Sequence, residues 1–368
     1  MRNTQSIIER LAGIAAGCAL AVTLAACGAS GTAATTTQSS TDNSVETASE
    51  EQESTVTIQS LNGAGETIDL EVPKNPQRVA ILDLASLDII DNLGEGGSIV
   101  GTATTTLDYL QKYVTDDSIA NLGNIKEADL EAVAACEPDV IFIGGRLSGS
   151  YDALSEIAPV VYLSTDSSKG VYQSTKDNAE QIAKIFGDED KVADLFADFD
   201  ARIEKLSAAA EGKTAVMGMA TAGSFNILGN DGRCSLISNE IGFDNVGASV
   251  AATSGGRGGS GGGASGSGSA SGSASGGAES NPHGTESSFE TVASLDPDYI
   301  FVLDRDSAIG TEGAQLAKDV MDNDIINSTR AAQEGHVVIL AHPAAWYTAE
   351  GGVTALDYML SDLETALL

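Results

Sequence analysis

Asp129-Leu-Glu-Ala-Val-Ala-Ala-Cys-Glu-Pro-Asp-Val-Ile-Phe-Ile-Gly-Gly-Arg146 and Ser288-Phe-Glu-Thr-Val-Ala-Ser-Leu-Asp-Pro-Asp-Tyr-Ile-Phe-Val-Leu-Asp-Arg305 are two copies of one pattern, identical without gaps at eight of 18 positions. Each copy reads as a helix, a Pro-Asp turn, an uninterrupted apolar strand and an arginine at the strand's carboxyl end. A strand that is apolar on both faces belongs in a buried, largely parallel sheet. Ligands of open α/β sheets sit beyond the carboxyl ends of the strands. The repeat therefore predicts two similar lobes, each aiming an arginine at a cleft.

Outward from the repeat, short apolar runs alternate with helical stretches. The candidate strands are Arg78–Leu82, Ser98–Gly101, Val140–Ile143, Val160–Leu163, Thr214–Met219, Tyr299–Leu303 and Val337–Leu340. This alternation predicts an α/β fold of two lobes with largely parallel sheets flanked by helices. The first strands of the lobes also correspond. Val79 to Pro138 spans 59 residues and Thr214 to Pro297 spans 83, of which Ser254–Ser280 account for 27. That segment is Gly, Ser and Ala apart from Arg257 and Glu279. It has nothing to pack and reads as a mobile loop inserted in the second copy. Between the lobes, residues 176–211 carry apolar side chains at helical spacing from Ile182 to Leu206, with a break signal at Gly187-Asp188. A long helical connector is stiffer than a loop and limits closure of the lobes. Thr55–Leu61 and Glu66–Val72 alternate with period two around Asn62-Gly-Ala-Gly65 and predict a hairpin ahead of the first lobe. The organisation expected is a first lobe over 55–175, a connector over 176–211, and a second lobe over 212–368 with its insertion at 254–280.

The N-terminus sets the compartment. Arg2 and Arg10 precede the apolar run Leu11–Ala26, too short to span a membrane comfortably and suited to a secretory signal. Leu24-Ala-Ala-Cys27-Gly28 closes it in the form of a bacterial lipobox, with Cys27 as the lipid-bearing residue. Residues 1–26 are thus expected to be removed, and residues 27–54, rich in Ser, Thr, Ala and Glu, to form a flexible stalk. Acyl chains would tether the chain to a membrane face without spanning it. Of the remaining cysteines, Cys136 and Cys234 are free to pair outside the cytoplasm, while Cys136, in an apolar helical stretch, reads as a small buried hydrophobe.

Composition removes several classes. With 19 Lys+Arg against 53 Asp+Glu the net charge is −34, which disfavours nucleic acid as a partner. Three histidines and no metal-ligand spacing argue against a protein-built metal centre. Outside the Gly/Ser segment, no G-x-S-x-G elbow or other catalytic spacing supports an enzyme.

Several strings then carry a resemblance. Asn75-Pro-Gln-Arg-Val, Ala85-Ser-Leu-Asp, Gly144-Gly-Arg146, His283-Gly-Thr-Glu-Ser-Ser-Phe-Glu290, Pro297–Arg305 and Trp346-Tyr347, in this order behind a lipobox, resemble the iron–siderophore and cobalamin substrate-binding lipoproteins of ABC importers. Within these they are similar to the branch that binds ferric petrobactin, anguibactin and related catecholate siderophores. The resemblance implies capture of a ferric siderophore outside the cell and its delivery to an ABC permease by a monomer. It implies no protein cofactor, because such siderophores satisfy the iron themselves. Haem or cobalamin is the alternative ligand, and a secreted enzyme the remoter one. Arg146, Arg233 and Arg305 match the positions that hold the anionic complex. Planar, permanently charged guanidinium groups suit an oxygen-rich anion, whereas surface salt bridges are their ordinary use. Trp346 and Tyr347 would face the chelate, or Trp346 would pack in the core. His283 would donate to a catecholate oxygen or simply cap its loop. Glu131 and Glu290 match the positions that dock on permease arginines. A first-turn glutamate complementing the helix dipole is the plain reading of both.

Overall fold

The computed structural model describes residues 54–253 and 285–368. The expected signal peptide, Cys27, the stalk, the insertion 254–280 and His283 lie outside the described residues. A hairpin comes first, β1 (Thr55–Leu61) antiparallel to β2 (Thr67–Pro73). The first lobe holds β3 (Val79–Ile81), α1 (Leu84–Leu93), β4 (Ile99–Thr102), β5 (Ala120–Asn121), α2 (Leu130–Ala135), β6 (Val140–Ile143) and β7 (Val160–Tyr162). Helices α3 (Val171–Phe186) and α4 (Phe199–Ala210) form the connector. The second lobe opens with β8 (Thr214–Thr221), β9 (Ser224–Ile227), α5 (Ser235–Asn239) and β10 (Asp244–Asn245). It closes with α6 (Thr285–Leu295), β11 (Tyr299–Asp304), α7 (Arg305–Ala308), β12 (Val337–Ile339), α8 (Pro343–Thr348) and α9 (Val353–Leu367).

All seven candidate runs are strands. The first sheet has the order β5-β4-β3-β6-β7 and is parallel throughout. In the second, of order β9-β8-β11-β12, only the β8–β9 pair is antiparallel, and β10 lies beside β8. The repeat is therefore structural. In each lobe its strand pairs with the lobe's first strand, Val79 opposite Val140 and Ala215 opposite Tyr299. Its shared aspartate explains why. Asp139 Oδ2 accepts the Gln77 and Arg78 N–H groups at 2.8 and 2.9 Å, and Asp298 Oδ2 accepts the Thr214 N–H at 2.8 Å. Each carboxylate thus pins the start of the neighbouring strand. The residue before each Pro-Asp, Glu137 or Asp296, is left-handed, with φ of +43° and +41°, which ends the preceding helix.

Strand alternation builds the core. Val79, Ile81, Val140 and Phe142 point into the same apolar cluster as Ala215, Met217, Tyr299 and Phe301, so one face of each sheet feeds a core that both lobes and the connector share. The opposite faces, with Ile141 and Ile143 in one lobe and Ile300 and Val302 in the other, fill two separate smaller clusters. The helical connector expected over 176–211 carries the break signalled at Gly187-Asp188, but its start differs. It starts earlier, at Val171, and α3 stops at Gly187, whose φ of +76° places its N–H on the Ala183 carbonyl. A single turn, Val192–Leu195, precedes α4. Arg202 of α4 clamps α9 through Asp357 and Glu364.

Two helices begin on glycine, and both are capped from elsewhere. Neither Gly170 before α3 nor Gly352 before α9 offers a capping side chain. Glu240, just after α5, accepts the Tyr172 N–H at 3.0 Å on Oε1. Asp88 of α1 accepts the Thr354 and Ala355 N–H groups at 3.0 and 2.9 Å. A Cβ at either glycine would collide with the capping carboxylate. The first lobe thus caps a helix of the second, and the second caps the connector.

Candidate functional site

The strand ends meet at a cavity of about 890 Å³, within the range that holds a drug-sized ligand. Its walls include Arg146 just beyond β6, Arg233 just before α5, Tyr347 on α8, Asp83 and Glu350. The hairpin tip Gly63–Gly65 and the Ser164–Ser167 segment close its far side.

Tyr347 organises the cations. Arg146 Nη2 donates to its carbonyl oxygen at 3.2 Å, and Arg233 donates to the same oxygen from Nε and Nη2 at 3.3 and 3.1 Å. Arg305 Nε donates to the Tyr347 hydroxyl at 3.0 Å. The three guanidinium carbons lie 5.5, 4.2 and 5.6 Å from the ring centroid, within cation–π reach. Burial alone would raise the phenol's pKa. The Arg305 hydrogen bond and the charges of Arg233, Arg305 and Arg146 outweigh it and leave Tyr347 more acidic than an ordinary tyrosine. Arg305 also pairs with the buried Asp306 at 3.2 Å and stands behind the Tyr347 ring. Among the described residues, Arg146 and Arg233 make no ion pair within 4 Å, and only the longer-range charges of Asp83 on Arg146 and of Glu350 on both offset theirs.

Carboxylates line the same space. Asp83 caps α1 by accepting the Ser86 N–H at 2.9 Å, and burial raises its pKa. Glu350 keeps a sliver of exposure, but its Oε1 is sealed from solvent and has no hydrogen-bond partner. Burial first, with the Glu240 charge adding and Arg233 and Arg146 opposing, pushes it up to about 7.

The structure brings Arg146, Arg233, Arg305 and Tyr347 together and sets Trp346 apart. Trp346 is fully buried, and its indole N–H donates to Asp362 Oδ2 at 2.9 Å. It is a core residue, and the expectation that it faces the ligand is withdrawn. Glu131 and Glu290 are both exposed. Glu131 sits in the first turn of α2, but α6 begins at Thr285, so Glu290 lies in its second turn. The dipole's influence fades within one turn, and the plain reading of Glu290 is corrected. Cys136 and Cys234 are free, buried thiols in different clusters. Asp83 and Glu350 were not singled out in the sequence. Only Glu350's place, three residues after Tyr347 on a short helix, pointed towards it.

A family model described as periplasmic binding protein matches residues 79–344. The chain belongs to that family. Petrobactin-binding protein YclQ of Bacillus subtilis is 34% identical over 81% of this chain and 84% of its own length. Its crystal structure superposes with a TM-score of 0.69 over 85% of this chain and 98% of that one. The catecholate-siderophore binding protein VctP of Vibrio cholerae is 27% identical, with a TM-score of 0.67 over 84% of this chain and all of that one. The ferric-anguibactin-binding protein FatB of Vibrio anguillarum is 24% identical over 81% of this chain and 84% of its own length. These relatives are binding proteins with two lobes of the same α/β fold.

Proposed function

We propose that this chain is the extracytoplasmic receptor of an ABC importer, capturing a ferric siderophore of the catecholate type and delivering it to the permease. One observation carries the reading: two guanidinium groups without ion-pair partners among the described residues, Arg146 and Arg233, converge on one tyrosine in the wall of a cavity between strand ends. An anionic chelate supplies the missing charge, and the siderophore supplies the iron's ligands, so no protein cofactor is needed. The names of YclQ and VctP agree with that chemistry. The chain acts as a monomer held at the membrane through lipid on Cys27. Absorbance and fluorescence titrations with ferric petrobactin, haem and cobalamin test the ligand class. Binding of the ferric catecholate alone is expected, and preference for haem or cobalamin would replace this reading.

Glu131 and Glu290, at equivalent repeat positions and both exposed, are the docking contacts to permease arginines. Replacing both with alanine is expected to leave solution affinity unchanged and to impair uptake by cells carrying the cognate permease. Full uptake by the double variant would remove them from docking.

A further inference from the structure

We propose that Glu350 is a charge-selecting residue of the binding cavity, taking up a proton when an anionic chelate occupies Arg146 and Arg233, so that capture and protonation are one linked event. The inference rests on the anion-binding function above.

Glu350 lies in the turn between α8 and α9 and lines the cavity. The charged groups that face it are Arg146 beyond β6, Arg233 before α5 and Glu240 after α5; the buried Cys234 thiol is its titratable neighbour. Glu240 is committed to the N-terminus of α3 and adds only repulsion. With Oε1 sealed and unpartnered, an ionised Glu350 depends on the field of the two guanidinium groups and on the little solvent the residue still reaches. A chelate anion seated on those groups cancels that field. An uncompensated carboxylate out of water is costly, and the group answers by binding a proton.

The consequence for ligand choice follows. With Glu350 neutral, the cavity carboxylate that faces both Arg146 and Arg233 no longer offsets their charge, which favours chelates of high negative charge. The sign follows from linkage. A carboxyl with a pKa of about 7 in the free protein, and a higher one in the complex, binds a proton on ligation. Affinity is then greatest below neutrality and falls roughly tenfold from pH 6 to pH 8.

Isothermal titration of the full chain with ferric petrobactin at pH 8, in two buffers of different ionisation heat, measures the protons exchanged. The expected result is that the parent takes up close to one proton more per ligand than Glu350→Gln. The variant should bind roughly tenfold tighter than the parent at pH 8 and lack the parent's additional loss of affinity between pH 6 and pH 8. Infrared difference spectra of the parent need no variant and should gain a protonated-carboxyl band on ligation. Equal proton counts in parent and variant, or no such band, would overturn the proposal while leaving the function intact. A parent that binds no ferric catecholate at all would overturn the function, and this inference with it.

Discussion

Arg233→Ala is expected to weaken binding of a ferric catecholate roughly ten- to a hundredfold. A charge-assisted hydrogen bond is worth about 1.5–3 kcal/mol, and each 1.4 kcal/mol is a factor of ten. Of the three arginines, Arg233 lies closest to the Tyr347 ring, at 4.2 Å, and has no carboxylate partner among the described residues. Arg146→Ala should follow closely for the same reason. Arg305→Ala should cost less, because Arg305 is already paired with Asp306 and works by fixing the Tyr347 hydroxyl. Lysine should rescue Arg233 only in part, since it keeps the charge and loses the planar fork. The double variant need not add, because both groups engage one carbonyl and one ligand. Quenching of the single tryptophan, Trp346, reports occupancy, as it lies in the core directly beside Tyr347. Unchanged affinity in both Arg233→Ala and Arg146→Ala would place the site elsewhere.

The strands around this site were legible, though not their order in the sheets, because the Pro-Asp repeat has a mechanical job. Asp139 and Asp298 hold neighbouring strands, so the same residue stands at the same place in both copies, and the arginines that follow mark the strand ends. Trp346 was harder to place. A helix of six residues shows no period, and the indole's partner, Asp362, arrives from α9. The connector's break was legible at Gly187, but its start at Val171 was not, because Gly170 offers no capping side chain to mark it. Least visible were the carboxylates that act across elements, Asp88, Glu240 and Glu350, whose partners are distant in sequence. A trace of two of them existed. Helices need their first N–H groups satisfied, and an amphipathic run that starts on glycine, as at Gly170 and Gly352, asks for a cap from another element.

Such a cap should be expensive to lose, and Asp88→Ala is expected to destabilise the protein by about 3–5 kcal/mol near pH 5. Asp88 is fully buried and accepts four donors: the Thr354 and Ala355 N–H groups, the Tyr109 hydroxyl at 3.0 Å and the Asn92 amide at 2.7 Å. Alanine leaves all four without this acceptor and frees the start of α9. That helix buries Leu356, Met359, Leu360 and Leu363 in the core shared by both lobes, so its fraying is felt by the whole fold. The loss should appear as a fall in thermal midpoint of roughly 6–10 °C. Its pH dependence has a definite sign. Burial, opposed by hydrogen bonds from the Ala355 and Thr354 N–H groups and the Tyr109 and Thr354 hydroxyls, raises the Asp88 pKa to about 6, above the value of 3.8 usual for an aspartate. Between those values the native state holds more protons than the unfolded chain, so the parent loses stability as pH rises through the window. The variant lacks that slope, and its deficit should shrink by roughly 1–1.5 kcal/mol from pH 5 to pH 7.5. Glu350 is present in both proteins and cancels from the comparison. Calorimetric scans of parent and Asp88→Ala at the two pH values measure the difference. A deficit that widens with pH, or midpoints within a degree of each other, would mean that Asp88 does not hold α9 to the first lobe.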